Sequence, residues 1–192
     1  MKKWIIVVVV LVLLGMFGCN KYNGLVKQDE NVKNKWGAVQ SQYQRRADLI
    51  PNLVSTVKGA ANFEQTTLTQ VIEARAKATQ VTINADDLSP EKIQQFQQAQ
   101  GQLSSALGRL LAVAESYPQL KANQNFLDLQ AQLEGTENRI TVARNDFNEA
   151  VNGYNSSVRT FPNNIIAGIS GFQQKGYFQA QAGSENAPKV QF

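Results

Sequence analysis

Apolar residues recur with a 3–4 spacing through almost all of the chain after residue 24, and this pattern is the strongest constraint on the fold. Each of the two longest stretches makes roughly 54 Å of helix at 1.5 Å per residue. Short connections between stretches favour antiparallel neighbours. The sequence therefore predicts an all-α fold, an elongated antiparallel four-helix bundle. The helical stretches are, in chain order, residues 25–60, 64–79, 90–117 and 126–161.

Proline and serine mark two local features of these stretches. Ser89 followed by Pro90 is typical of a helix start, with a capping residue and then proline at the first helical position. Pro51 lies inside the first stretch, where it removes one main-chain hydrogen bond. Because the apolar spacing keeps its register across Pro51, we expect a kink near residues 47–50 within one helix.

The first 18 residues are unlike the rest. Lys2 and Lys3 precede a non-polar run from Trp4 to Gly18, and Cys19 follows. As a helix this run spans roughly 22 Å, which is shorter than the ~30 Å hydrocarbon core of a bilayer. The run resembles a bacterial lipoprotein signal, cleaved after Gly18 and carrying lipid on Cys19. The alternative is an uncleaved membrane anchor. In both cases the basic start favours export of everything that follows.

Four parts of the chain follow from these patterns. We expect a signal peptide or membrane anchor over residues 1–18, a lipid-attachment site and tether over 19–24, the bundle over 25–178, and a flexible tail over 179–192. The bundle is then tethered outside the cytoplasmic membrane, in the periplasm or at the cell surface. The net charge of +4 is small, so we expect no nucleic-acid partner.

Two compositional facts restrict the chemistry. The chain has no histidine and a single cysteine. It therefore lacks the commonest general base and metal ligand, and it cannot form an intrachain disulfide or a thiolate zinc cluster. We expect no catalytic residue, no metal site and no cofactor.

Several long blocks of sequence resemble a known family. They are YNGLVKQDENV, QYQRRADLIPNLVSTVKGAANFE, YPQLKANQNFLDLQAQLEGTENRITVARNDFNEAVNGYN and VRTFPNNIIAGISGF. Together, from about Tyr22 to Phe172, they are similar to the LemA family. The resemblance implies an N-terminal membrane segment and an exported antiparallel helical bundle. It implies no catalytic residues, since the family has no established ones.

Polar residues inside the helical pattern form the main candidate site. We expect Arg46 to pair with Glu137 or Asp48 and to set helix register, and Asn52 to bond a carbonyl freed by Pro51. Polar residues that share one face of the fourth stretch predict an inter-helix hydrogen-bond ladder. The alternative is a polar pocket near Arg45–Asn52 and Glu137–Asn155 that takes a small ligand or substrate. The predicted structural polar network comprises Arg45, Arg46, Asp48, Asn52, Glu137 and Arg144.

An apolar cluster near the end of the bundle is a possible interface, formed by Ile165, Ile166, Ile169 and Phe172. With no catalytic constellation, the sequence favours a non-enzymatic, membrane-tethered scaffold or protein-interaction module of the bacterial envelope. Its partners would be envelope proteins or a second copy of itself. A small-ligand receptor or an enzyme is the alternative.

Overall fold

A computed structural model describes residues 2–59 and 64–180. Among these residues every regular element is a helix, and no strand occurs. The prediction of an all-α bundle is therefore confirmed. The helices are α1 (Lys2–Lys58), α2 (Gln65–Gln80), α3 (Pro90–Ala114), α4 (Pro118–Lys121), α5 (Gln124–Arg159) and α6 (Asn163–Ser170).

The bundle is built on two helix pairs. α1 packs along α5, and α2 packs against α3. Ion pairs between α1 and α5 show that these two helices are antiparallel: Lys35 Nζ lies 2.9 Å from Asp146, and Arg46 lies 2.7 Å from Glu137. The same register places Arg159, the last residue of α5, opposite residues 22–24 of α1.

The core is divided into two clusters along this long axis. The cluster near the C-terminal half of α1 is mostly aliphatic and includes Leu53, Leu103 and Leu110. The other cluster is rich in aromatic rings, with Trp36 lying 5.2 Å from Phe96 between ring centroids. Most residues of both clusters lie on the predicted apolar faces of the helices, where they are buried.

α1 is longer than the sequence pattern indicates. It continues without a break from Lys2 through residues 19–24, the predicted tether, and into the bundle. Those residues include no proline, so nothing in them breaks the main-chain hydrogen bonding of a helix. By length and composition, α1 is the one described helix that could cross a membrane, and a signal sequence meets the same criterion.

Pro51 lies inside α1, and its effect is compensated from another helix. Proline has no N–H to offer the carbonyl of Ala47, one turn earlier. Arg75 Nε on α2 donates to that carbonyl oxygen at 2.8 Å. The expectation that Asn52 would do so is wrong, because Asn52 is exposed on the outside of α1 while Arg75 reaches the carbonyl from the bundle side.

The chain after α5 folds back along the bundle. α6 packs on α1 and α5, and Gly171 ends it with a φ of 77°, a conformation that favours glycine. Residues 172–180, the C-terminal segment, then run without helical structure beside the other helices. Gln179, which the sequence assigns to the flexible tail, exchanges two hydrogen bonds with the side chain of Gln97 on α3. The rest of that predicted tail, residues 181–192, lies outside the described residues.

Candidate functional site

Side-chain amides hold the C-terminal segment through its main chain. Asn155 on α5 donates from Nδ2 to the carbonyl oxygen of Lys175 and accepts from the N–H of Lys175, each at 2.9 Å. Asn148, two turns earlier, makes the same pair of bonds with Phe178, again at 2.9 Å. Each amide thus satisfies both main-chain groups of one residue, as a neighbouring β-strand would.

A third amide comes from the opposite side of the segment. Gln97 on α3 donates to the carbonyl oxygen of Gln179 at 2.8 Å and accepts from its N–H at 3.0 Å. Arg144 on α5 donates to the same carbonyl oxygen at 3.1 Å. We call Gln97, Asn148 and Asn155 the amide ladder. Its bonds go only to main-chain atoms, so they would form with many peptide sequences.

Side chains of the segment occupy sites of their own. The ring of Phe178 is buried among Trp36 and Phe147, with centroid distances of 6.1 and 5.5 Å. The guanidinium of Arg144 lies 4.8 Å from the Phe178 centroid, a cation–π distance. Because aromatic burial dominates the energetics of such contacts, Phe178 anchors the segment.

Lys175 and Gly176 add further restrictions. Lys175 Nζ lies 2.8 Å from Asp29 and 5.3 Å from the ring centroid of Tyr154. The N–H of Gly176 donates to the carbonyl of Leu88 at 2.8 Å. A Cβ on Gly176 would lie 2.7 Å from Cα of Pro90, which is closer than any normal contact. The C-terminal segment lies in a groove between α3 and α5. This groove therefore selects lysine, glycine and phenylalanine at positions 175, 176 and 178.

The sequence predicted an inter-helix ladder on the face that carries Glu137, Arg144 and Asn148, with Asn155 further along the same helix. The structure shows that Arg144, Asn148 and Asn155 bond to the extended main chain instead of to another helix. Gln97 was not predicted. Gln97 lies in the Gln-rich start of α3, and nothing in the sequence distinguishes it from its exposed neighbours.

Arg46 is buried next to this groove and links three helices. It is 1% exposed. Its NH1 donates to Ser104 at 2.8 Å and to Glu137 at 2.7 Å, and its NH2 donates to the side chain of Gln100 at 2.6 Å. Its Nε has no hydrogen-bond partner among the described residues. A buried charge with these partners holds α1, α3 and α5 in one register.

The structure separates the three other predicted members of the polar network on α1 from Arg46. Arg45, Asp48 and Asn52 lie on the exposed face of α1. Asp48 accepts a hydrogen bond from Gln44 of the same helix at 2.8 Å. Their spacing on the helix explains this, because only Arg46 falls on the inward face.

A polar cleft of about 580 Å³ adjoins the groove where the segment reaches Ala180. Burial raises the pKa of Tyr43, so its hydroxyl stays protonated at neutral pH. The side chain of Glu137 is 45% exposed, although one of its oxygens binds Arg46. The cleft thus offers donors and acceptors to a polar molecule. Its lining includes Arg46, Gln94, Gln98, Glu137, Thr141 and Arg144.

A network of charges fastens the segment to α1. Lys33 Nζ lies 3.0 Å from Asp29 and 2.7 Å from Asp86. Burial raises the pKa of Asp29, but hydrogen bonds and charge from Lys175 and Lys33 outweigh this and hold the pKa below its usual value. Burial, with the charge of Asp29, raises the pKa of Tyr154 to about 12. In the part of the chain that the structure describes, no cluster of His, Cys, Asp and Glu could hold a metal ion.

The predicted apolar interface divides into two halves. Ile166 and Phe172 are half-buried against the aromatic core cluster. Ile165 and Ile169 are exposed, at 53% and 83%. Cys19 is also exposed, one residue after Gly18 on α1.

A profile of the LemA family matches residues 35–192, most of the chain. The chain belongs to the LemA family. One similar protein is Protein LemA of Metamycoplasma hominis, which is 24% identical over 182 residues, covering 93% of this chain and 80% of the relative. Magnetosome protein MamQ 2 of Paramagnetospirillum magneticum is 27% identical over 177 residues.

The match to the MamQ proteins is partial. It covers 83% of this chain, and the chain spans 65% of the length of MamQ 2. MamQ of Magnetospirillum gryphiswaldense is 26% identical over 179 residues. Together with the exposed apolar N-terminal part of α1, family membership describes a membrane-associated helical protein.

Proposed function

We propose that this LemA family protein is a non-enzymatic, membrane-tethered scaffold of the bacterial envelope that binds extended polypeptide along its side. One observation carries the proposal: the amide ladder pairs with both main-chain groups of three residues in a non-helical segment, Lys175, Phe178 and Gln179. An extended peptide has no internal hydrogen bonds, so a surface that supplies them recognises the main chain itself.

The binding surface extends beyond the chain's own segment. The polar cleft begins beside Gln179 and Ala180, where Gln94 and Gln98 provide amides on α3 and Thr141 provides a hydroxyl on α5. The two glutamine amides are the same chemical group that makes up the amide ladder. A polypeptide from an envelope protein or from a second copy would lie in this cleft, with its main chain bonded to these side chains.

The anchor supports the proposed location. We propose that the bundle is exported and that residues 1–18 are either a lipoprotein signal or an uncleaved anchor. If Cys19 carries lipid, Cys19→Ala should abolish fatty-acid labelling and cleavage after Gly18. A Cys19→Ala variant that is labelled and processed like the parent would show that the anchor is not a lipid on this residue.

Site-specific photocrosslinking in native membranes tests the proposed function. A photoreactive amino acid replaces Gln98, which lines the cleft, or Ser105, which is exposed elsewhere on the same helix. We expect discrete crosslinked products at Gln98 and none at Ser105. If both positions leave the protein monomeric and uncrosslinked at native expression levels, the scaffold proposal is wrong.

A second candidate function is a receptor for a small polar ligand. The half-exposed carboxylate of Glu137, held beside buried Arg46 at the cleft, favours it. Native mass spectrometry of the purified full chain would then show a bound small molecule that is lost in Glu137→Gln. A parent protein that carries no such mass would exclude a tightly held ligand and leave the polypeptide as the occupant.

A further inference from the structure

The end of the bundle formed by α6 lies next to the apolar part of α1. The antiparallel register sets Arg159 opposite residues 22–24 of α1, and the chain enters α6 four residues later. The ring of Phe172, just after α6, lies 5.7 Å from the ring of Tyr22. Tyr22 is only roughly 6 Å along the helix from Gly18, where the apolar run ends.

This end presents an apolar face to solvent. Phe161, Ile165 and Ile169 follow one another at intervals of four residues, and their exposures are 75%, 53% and 83%. Ile166 and Phe172, on the other side of α6, pack against the core and hold the helix in place. We call Phe161, Ile165 and Ile169 the α6 face.

The stretches of α1 and α5 nearest to α6 carry only basic residues, whereas Asp29, Asp86 and Asp87 lie with Ser170, Gly171 and Phe172 around a cleft at the C-terminal end of α6. Residues 19–28 and 150–172 contain no aspartate or glutamate. They contain Lys21, Lys27 and Arg159, and the last two are exposed. Basic residues beside exposed isoleucine and phenylalanine are typical of surfaces that bind anionic lipid.

The short apolar run brings this end to the lipid. The run spans roughly 22 Å against ~30 Å of hydrocarbon, so a spanning helix draws the residues after Gly18 toward the bilayer interface. If the chain is instead cleaved and lipid is attached to Cys19, the acyl chains enter the membrane at the same level of α1. Both anchors therefore place the end of the bundle that carries α6 next to the membrane surface.

We propose that the α6 face docks on the membrane surface and that Lys21, Lys27 and Arg159 contact anionic lipid headgroups. This goes beyond the proposed scaffold function, which uses the groove on the side of the bundle. It fixes the orientation of the bundle at the membrane with two attachments, the anchor and α6. The occupant of the face is lipid and not a protein partner because the face lies at the end of the bundle where the membrane segment joins it, and because Lys21, Lys27 and Arg159 lie at this end.

Tryptophan fluorescence in vesicles tests the docking. The full chain, carrying Trp4→Phe, is reconstituted in phosphatidylcholine vesicles with one quarter phosphatidylglycerol and brominated lipid as quencher. Trp36 is 0% exposed and gives a constant background. Ile169→Trp reports the α6 face. Val142→Trp is the control, because Val142 is 61% exposed and lies roughly 25 Å along α5 from Arg159.

We expect quenching of Ile169→Trp to exceed that of Val142→Trp by about threefold, since docked apolar faces lie ~5–10 Å into the interface. Adding Phe161→Glu should reduce this quenching while circular dichroism shows the same helix content. Equal quenching at both positions would overturn the proposal. So would quenching at position 169 that Phe161→Glu leaves unchanged, because tethering alone would then bring the site near lipid.

Protein association is separated from lipid binding in the same samples. If α6 faces pack against each other in a dimer, Ile169→Trp emission will depend on the ratio of protein to lipid and will not change when phosphatidylglycerol is removed. That result would overturn the proposal in favour of self-association. A decrease in quenching without phosphatidylglycerol, at constant protein density, supports it.

Discussion

Replacing Gly176 with alanine tests whether the C-terminal segment is part of the stable fold. The new Cβ would lie 2.7 Å from Cα of Pro90, 3.0 Å from its nitrogen and 3.1 Å from the carbonyl oxygen of Ser89. All three atoms belong to the main chain at the start of α3, so a side-chain rotation cannot relieve the contact. The segment or the helix start must move.

The expected cost is about 2 kcal/mol of the free energy of unfolding, within the ~1–3 kcal/mol typical of overpacking. Movement of Gly176 also lengthens its 2.8 Å hydrogen bond to Leu88, a bond that contributes about 1 kcal/mol. For a chain of this size, 2 kcal/mol lowers Tm by roughly 4–8 °C. Without this contact, alanine would be expected to stabilise the protein relative to glycine, because it lowers the conformational entropy of the unfolded chain. Conformational entropy alone therefore predicts a rise in the free energy of unfolding.

Gly153→Ala is the matched control. Gly153 is exposed inside α5, and a Cβ there would meet nothing within 4 Å. That substitution should stabilise the protein by about 0.5–1 kcal/mol, the helix propensity difference between the residues. Urea unfolding of both variants in detergent micelles measures whether each substitution raises or lowers the free energy of unfolding.

Hydrogen exchange distinguishes strain from release of the segment. If the segment detaches in Gly176→Ala, the amides of Lys175, Phe178 and Gln179 will exchange fast while those of α5 stay protected. If it stays bound under strain, all will remain slow and unfolding will occur at lower urea. If Gly176→Ala is as stable as the parent and all these amides keep their protection, a Cβ at position 176 does not conflict with the start of α3.

Three further predictions concern buried charges and the proline in α1. Arg46→Ala should lower the free energy of unfolding by about 2–4 kcal/mol, less than for a fully buried pair because the glutamate partner stays half-exposed, whereas replacing the whole pair, with Arg46→Met and Glu137→Leu together, should be nearly neutral. Equal urea midpoints for these two variants would contradict this. Arg75→Ala leaves a carbonyl unpaired and should cost about 1–2 kcal/mol, but markedly less in a Pro51→Ala background, where the restored N–H can bond it. A double-mutant cycle that shows additivity would exclude this compensation. The lowered pKa of Asp29 stabilises the folded state above its unfolded pKa of about 3.8, and this stabilisation is lost as pH falls through the lower folded value. The free energy of unfolding of Asp29→Asn, measured by urea titration, should therefore depend less steeply on pH than that of the parent between about pH 5 and 2. The same slope of free energy against pH in both proteins would contradict this role of Asp29.

Local sequence patterns determined most of the helical architecture. The apolar seam of α1 predicted Val32, Trp36, Val39 and Leu53 as inward residues, and all four are buried. The Ser89-Pro90 signal predicted the start of α3, which begins at Pro90. These predictions succeed because a helix closes its hydrogen bonds within four residues, so its bounds and its inward face depend on nearby sequence.

The site depended on contacts that no local pattern contains. Asp29 and Arg46 interrupt the same seam, and the sequence alone shows only that each needs a partner. The fold supplies Lys175 to Asp29 and Gln100 to Arg46. The proposed Asn52 bond is wrong for the same reason, since Arg75 approaches from a separate helix.

The sequence by itself therefore determined an apolar N-terminal segment, a set of long helices and the residues that face inward. Only the tertiary structure decided that the C-terminal segment fills the groove between helices and that Phe178 joins the aromatic core. An extended segment makes no hydrogen bonds of its own, so its position is set by distant partners such as Asn148 and Gln97. These partners meet the segment only after α3 and α5 have packed into the bundle.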